Sequence, residues 1–332
     1  MAGLSIRDEY IAALAIPITL LLLRLPSPAQ DAARLHHFDY DRKAPLDILE
    51  AGVEKRGGGV SVHDISYASP LGGRVPAYLV VPRGRGPFAA VIWGHWYMPG
   101  SEFRNRKEFL AEAVALAPAG VVSLLIDYPI ARPGYVEDPT PLNEKQIRDR
   151  VQSIIDTRRG ADLLLARPDV DSHRLAYVGH SYNAETGAFL SGIDRRFKAF
   201  VLMAGSLSDQ VSLRSKEMQD YRRRVGAAKF DAFMAKYAWL DQGRYVSHAA
   251  PAVVFLQYAS QEAFLTPQRD REYAAVVSEP KRFKLYDAPH ALNAEARMDR
   301  DAFLAEQLKL KKIPLAALRG VPDLVQPPEP KE

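Results

Sequence analysis

Residues Tyr177 to Gly187 read YVGHSYNAETG. An apolar, β-type run ends in Gly-His-Ser, and the residues after Ser181 have helical character. A strand that turns directly into a helix around one serine implies a parallel sheet with crossover helices, so the flanking sequence should alternate. It does. Upstream lie two short, nearly all-apolar runs, FAAVIWGHW (88–96) and VVSLLIDYP (121–129), the pattern of strands covered on both faces. RKEFLAEAVALAPAG (106–120) has helical spacing and ends at Pro and Gly. An amphipathic helix from Asn143 stops at Pro168. Downstream, AFVLMAG, AVVFLQYAS and KRFKLYDA supply three more strands, and the helix from Asn293 to Leu310 closes the series.

Nearer the start, VSVHDISYAS and RVPAYLVVP are β-type runs joined by PLGG, an antiparallel hairpin at one edge. The fold class is therefore α/β, a mostly parallel sheet of about eight strands with helices on both faces. From about 206 to 250 no strand pattern occurs, and the helical segment carries Tyr221, Phe230, Phe233, Met234, Tyr237 and Trp239. It is either a lid over the strand ends or a set of surface helices with inward-facing aromatics. Residues 30–60 read as an arm leading into a domain of 61–315, and the proline-rich end, 316–332, as a frayed tail.

Ligands of parallel sheets sit beyond the carboxyl ends of the strands, where Ser181 is placed. A sharp strand-to-helix turn exposes its side chain, and the helix start aims N–H groups at negative charge formed beside it. Gly179, His180, Ser181 and Tyr182 fit the Gly-x-Ser-x-Gly nucleophile elbow, with Asn183 at the second glycine. Asn tolerates unusual backbone angles best after Gly, so the turn survives, with added bulk against the strand. The competing role for Ser181 is a helix cap.

A serine nucleophile needs a base and an acid that orients it. His290, in YDAPHALN between the last strand and last helix, stands where a base reaches over the sheet. The acid expected after the preceding strand is Glu262, in LQYASQEAFLTP; Asp287 is the competitor. Oxyanion donors would be the N–H groups of Tyr182 and, from the loop after residue 94, Tyr97. Trp96, Met98 and Tyr128 are candidate walls of the substrate pocket, or pack the top of the sheet.

With these stretches in place, residues 61–310 resemble the α/β-hydrolase superfamily, through GHSYNA, WGHWYMPG, LQYASQEAFLTP and YDAPHALN. Within it the chain is similar to dienelactone hydrolases and acetyl-xylan-esterase-like serine hydrolases. The resemblance implies carboxylic ester hydrolysis through an acyl-enzyme, a small-molecule ester substrate, and no metal or organic cofactor. Ser181 replaces the Cys nucleophile common among dienelactone hydrolases. Gln261–Phe264 departs from the Asp-Glu-aromatic stretch usual at the acid. The alternatives are a non-catalytic binding protein on the same fold, or a peptidase or other acyl hydrolase. A prolyl-oligopeptidase-like enzyme would need a propeller domain for which 332 residues leave no room.

Composition narrows the classes further. The chain has 47% hydrophobic and 25% charged residues, as soluble globular proteins do. A net charge of +4, with basic residues spread along the chain, gives no nucleic-acid footprint; YRRRVG (221–226) reads as a solvated helix face. The absence of cysteine excludes disulfides, thiolate metal sites and cysteine nucleophiles. His36, His37, Asp39 and Asp41 are close together but lack metal-site spacing. Tyr10 to Leu23 is uncharged, shorter than the roughly 20 residues of a membrane span, and as long as a signal-peptide core. Cleavage after Ala29, giving an exported protein with no stable membrane span, is the expectation; an uncleaved anchor and a cytoplasmic core helix are the alternatives.

Overall fold

Alternating apolar residues divide the core into two layers on opposite faces of one sheet. In the computed structural model, which describes residues 36–262 and 265–327, nine strands form that sheet. They are β1 (Leu49–Lys55), β2 (Ser61–Ala68), β3 (Arg74–Val81), β4 (Phe88–Gly94), β5 (Val121–Ile126), β6 (Val170–His180), β7 (Phe197–Met203), β8 (Val253–Ala259) and β9 (Lys281–Tyr286). Their order is β1-β2-β3-β5-β4-β6-β7-β8-β9. β1, β2 and β3 pair antiparallel with one another in turn, and β3 pairs antiparallel with β5. Every later pairing is parallel. β4 is buried along its whole length, as its unbroken apolar run requires.

The helices follow as crossovers. They are α1 (Leu110–Leu116), α2 (Glu144–Leu165), α3 (Tyr182–Ile193), α4 (Asp209–Ser212), α5 (Lys216–Val225), α6 (Ala227–Lys236), α7 (Gly243–Val246), α8 (Pro267–Val276), α9 (Ala294–Gln307) and α10 (Leu315–Arg319). On one face, Ile92, Leu124, Tyr177, Phe200 and Leu256 pack with side chains of α2, α3 and α8. On the other, Val91, Trp93, Val178, Val201 and Phe255 pack with α1, α9 and α10. Start signals are where polar residues placed them: Asn143, Thr266 and Asn293 each accept a backbone N–H of the first turn of α2, α8 and α9.

Three expectations need revision. From residue 37 the arm is part of the fold: it supplies β1, a ninth strand, and the fully buried Phe38, whose ring meets Phe189, Trp239 and Tyr245 at 5.9, 5.9 and 5.7 Å. β1 escaped notice because its side chains are all exposed, so it carries no apolar alternation. Second, 316–327 is docked rather than frayed. Leu318 is buried, and Arg297 bonds Asp323 at 2.8 Å and the Pro322 carbonyl at 3.4 Å. Third, the segment from residue 99 to Phe109 is mostly turns, leaving α1 only seven residues.

The segment between β7 and β8 holds helices and no strand, as its sequence pattern indicates. Among the described residues no helix is long and apolar enough to cross a membrane. The apolar segment from Tyr10 to Leu23 and the expected cleavage after Ala29 lie outside the described residues.

Candidate active site

Ser181 is the single residue between β6 and α3, with φ 52° and ψ −115°. A positive φ is costly for a residue with a side chain and persists only where the surroundings impose it. Here the Ser181 N–H donates to the Met203 carbonyl at 2.7 Å, and its own carbonyl accepts from Ala184 N–H at 2.9 Å. The turn is tight enough that a Cβ on Gly179 would lie 2.2 Å from the Asn183 carbonyl oxygen. The Ser181 side chain does not cap α3. The capping role is thereby removed, and Oγ, at the carboxyl edge of the sheet, makes no hydrogen bond among the described residues.

Asn183, the departure from the motif, is fully buried and fully used. Its Nδ2 donates to the His95 carbonyl, and its Oδ1 accepts from Thr186 Oγ1 at 3.0 Å. The extra bulk is accommodated at Gly94, where an added Cβ would stand 2.7 Å from the Asn183 Cβ. Asn183 thus ties α3 to the loop after β4, which a glycine cannot do.

His290 Nδ1 lies 2.7 Å from Glu262 Oε1, and the Glu262 side chain is 1% exposed. A neutral imidazole that donates from Nδ1 presents a basic Nε2. The backbone fixes this pair: Ser260 N–H bonds the Tyr286 carbonyl at 2.8 Å and Gln261 N–H the Ala288 carbonyl at 3.1 Å, extending the β8–β9 ladder. Asp287 makes no hydrogen bond or ion pair with His290 among the described residues; it accepts from Gln261 Nε2 at 2.8 Å and Ser260 Oγ at 3.3 Å on the surface.

Two other histidines are close, and neither has a free basic nitrogen. His95 bonds the Trp96 carbonyl through Nδ1 at 2.7 Å and accepts the Tyr128 N–H at Nε2, 3.3 Å away. Burial lowers its pKa to about 4. His180 bonds Glu108 through Nδ1 and the His290 carbonyl through Nε2. That last contact brings the His290 backbone against the residue next to Ser181. The rings of Trp96 and His290 are stacked at 6.2 Å.

Tyr182 is the first residue of α3, so its N–H has no partner inside the helix. In the loop after β4, the Trp96 N–H is taken by Glu108 Oε2, whereas the Tyr97 N–H makes no hydrogen bond among the described residues. Of the expected pocket walls, Trp96 and Tyr128 are fully buried, and Met98 is half-buried at the loop tip. Tyr128 is scaffold: its hydroxyl bonds Thr157 Oγ1 at 3.0 Å and the Tyr177 hydroxyl at 3.2 Å.

A cavity of about 440 Å³ has Tyr97, Tyr182, Tyr135, Arg150, Glu185 and Asp209 in its walls. The last four were not singled out from sequence. Arg150 lies on the Tyr182 ring at 3.7 Å, bonds the Tyr182 carbonyl at 2.7 Å and pairs with Glu185 at 2.5 Å. Burial, then the Asp241 and Glu185 carboxylates, push the Asp209 pKa up to about 7. A larger cavity of about 1090 Å³, against β1, α1 and α10, includes none of these residues. Among the described residues no three His, Asp or Glu side chains are grouped to hold a metal ion.

No protein-family model matches the sequence, and no curated protein matches it by sequence. Solved structures do match. An acetyl xylan esterase from Paenibacillus sp. R4 superposes with a TM-score of 0.67 at 18% identity, over 85% of this chain and 95% of that one. A glucuronoyl esterase from Solibacter usitatus gives 0.57 at 14%, over 85% and 92%. An α/β hydrolase from Penicillium sp. sh18 gives 0.52 at 14%, over 74% and 98%. The fold is that of the α/β hydrolases. Ser181 stands at the turn after β6, Glu262 in the loop after β8 and His290 in the loop after β9.

Proposed function

We propose that the protein hydrolyses carboxylic esters through Ser181, His290 and Glu262. The observation that carries this is the 2.7 Å bond from His290 Nδ1 to Glu262, together with a serine between β6 and α3 held at φ 52°, whose hydroxyl makes no hydrogen bond among the described residues. His290 Nε2 takes the Ser181 Oγ proton as Oγ attacks the ester carbonyl carbon. The N–H groups of Tyr182 and Tyr97 hold the oxyanion. The carbon–oxygen bond to the alcohol breaks, and the alcohol leaves with the proton from His290. Water then gives a proton to His290 and attacks the acyl-enzyme, releasing the acid and restoring Ser181. Glu262 keeps the imidazole in the tautomer with Nδ1 protonated and stabilises its charged form.

The cavity beside Tyr182, lined by Tyr182 and Tyr97 though not by Ser181 or His290, is polar. Arg150, Glu185, Asp209 and Tyr135 beside Tyr182 support an ester of a hydroxyl-rich alcohol. The acetyl xylan esterases among the structural neighbours are in keeping with that choice. The segment between β7 and β8 contributes Asp209, Leu240 and Gln242 to the cavity, which supports its role as a cover.

The test is fluorophosphonate labelling together with turnover of p-nitrophenyl acetate, p-nitrophenyl butyrate and an acetylated oligosaccharide. Labelling should vanish in Ser181→Ala, with a loss in kcat of at least ~10⁴-fold. A folded wild type that neither labels nor turns over would return the chain to a non-catalytic binding role.

A further inference from the structure

Glu108 and His180 form a second histidine–carboxylate pair behind the first, and both side chains are completely buried. His180 Nδ1 is 2.6 Å from Glu108 Oε1, and His180 Nε2 is 2.9 Å from the His290 carbonyl oxygen. The other carboxyl oxygen, Oε2, accepts the Trp96 N–H. Donor and acceptor rules fix most of the protons. A carbonyl only accepts, so Nε2 carries hydrogen; a backbone N–H only donates, so Oε2 is an acceptor. One proton remains to be shared between Nδ1 and Oε1.

That proton has two places. On Nδ1 it makes a buried imidazolium–carboxylate pair; on Oε1 it makes a neutral acid donating to a neutral imidazole. The surroundings favour the second. The Glu112 carboxylate faces the pair and binds Arg300 at 2.8 and 2.5 Å, committing that guanidinium. Asp301, buried against Glu112 and Arg300, is itself pushed by burial well above the usual carboxylic range and brings no cation to the pair. Arg297 is engaged by Asp323, and the Trp96 and His290 rings, each 5.1 Å from the His180 ring, fill the remaining sides. Burial drives Glu108 well above the usual carboxylic range and His180 well below the usual imidazole range, and both shifts favour the uncharged forms.

We propose that Glu108, as a protonated acid donating to His180 Nδ1, and His180, donating to the His290 carbonyl, form a neutral bridge that positions the Tyr97 loop and the His290 loop about Ser181. Glu108 holds one loop through the Trp96 N–H, and His180 holds the other from the residue next to the nucleophile. Neither side chain touches substrate; both are positioning residues. The proposal rests on Ser181 being the nucleophile.

The test has a spectroscopic and a kinetic arm, both on the full chain. In ¹⁵N-histidine spectra, His180 should show the neutral Nε2–H tautomer, unchanged between pH 5 and pH 9. Glu108→Gln keeps the pattern, because its amide donates to Nδ1 and its carbonyl accepts from Trp96. It should retain kcat within about threefold, whereas Glu108→Ala should lose roughly 10²-fold in kcat with KM for p-nitrophenyl acetate within about threefold, the scale of a small misplacement of reacting groups. An imidazolium signature at His180, a folded Glu108→Gln as impaired as Glu108→Ala, or a Glu108→Ala with unchanged kcat would each overturn the bridge. If Glu108→Ala does not fold, the spectrum and Glu108→Gln still decide. Failure of the Ser181 reading shows separately, as a wild type that does not label with fluorophosphonate.

Discussion

At the scale of single residues, the instructive position is Asn183. In the bare motif it reads as a defect; in the fold it replaces the missing glycine with a hydrogen bond to the His95 carbonyl, and Gly94 supplies the space. Asn183→Gly restores the consensus letter yet leaves that carbonyl without its donor. It should lower stability by about 1–3 kcal/mol, as loss of one partner of a buried polar pair does, read as a fall in Tm. Gly94→Ala should be at least as damaging, since its Cβ would stand 2.4 Å from the Tyr177 hydroxyl. On the proposed triad, Glu262→Gln keeps the shape but removes the charge that would stabilise a protonated His290; kcat should fall by about 10²–10⁴-fold. Asp287→Asn, on a side chain that bonds Ser260 and Gln261, should change kcat less than about twofold, the usual result away from reacting groups. Equal losses in the two variants would show that the acid is misassigned.

At the scale of elements, the strands that precede Ser181 and Glu262 were legible, because strands covered on both faces leave unbroken apolar runs. β4, β5, β6, β7 and β8 stand where those runs are. What was hidden carries no such pattern. β1 is an edge strand with solvent on its side chains, and the Glu108–His180 pair joins residues 72 apart in sequence, a contact no local spacing reveals. The arm before β1 is the other case. Phe38 packs into an aromatic cluster with Phe189 and Tyr245, so Phe38→Ala should cost about 3–5 kcal/mol, measured by urea unfolding. A loss within error would mean that the arm rests on the fold without stabilising it.

At the scale of the whole molecule, two carboxyls, one half-buried and one fully buried, make stability depend on pH. Asp209 and Asp270 each have a pKa raised to about 7, chiefly by burial. In the unfolded chain they ionise near the ordinary Asp value of about 3.9, so across that window the folded state binds more protons. Their contribution therefore falls as pH rises from about 4 to about 7, the reverse of a salt-bridged carboxylate. Asp209→Asn removes this dependence at one site. Its Tm relative to wild type should improve between pH 5 and pH 8; a difference that is flat with pH would sink the assignment.

The backbone stitches between the loops after β8 and β9 also bear on how such a protein changes over time. Glu262 and His290 sit at the ends of a ladder carried on by main-chain N–H and C=O groups, which every residue except proline supplies in full. Most substitutions along those loops leave the stitches in place, whereas an insertion or deletion of one residue between Ala259 and Glu262 would break them. Side chains there can vary in kind, while the number of residues between strand end and site cannot.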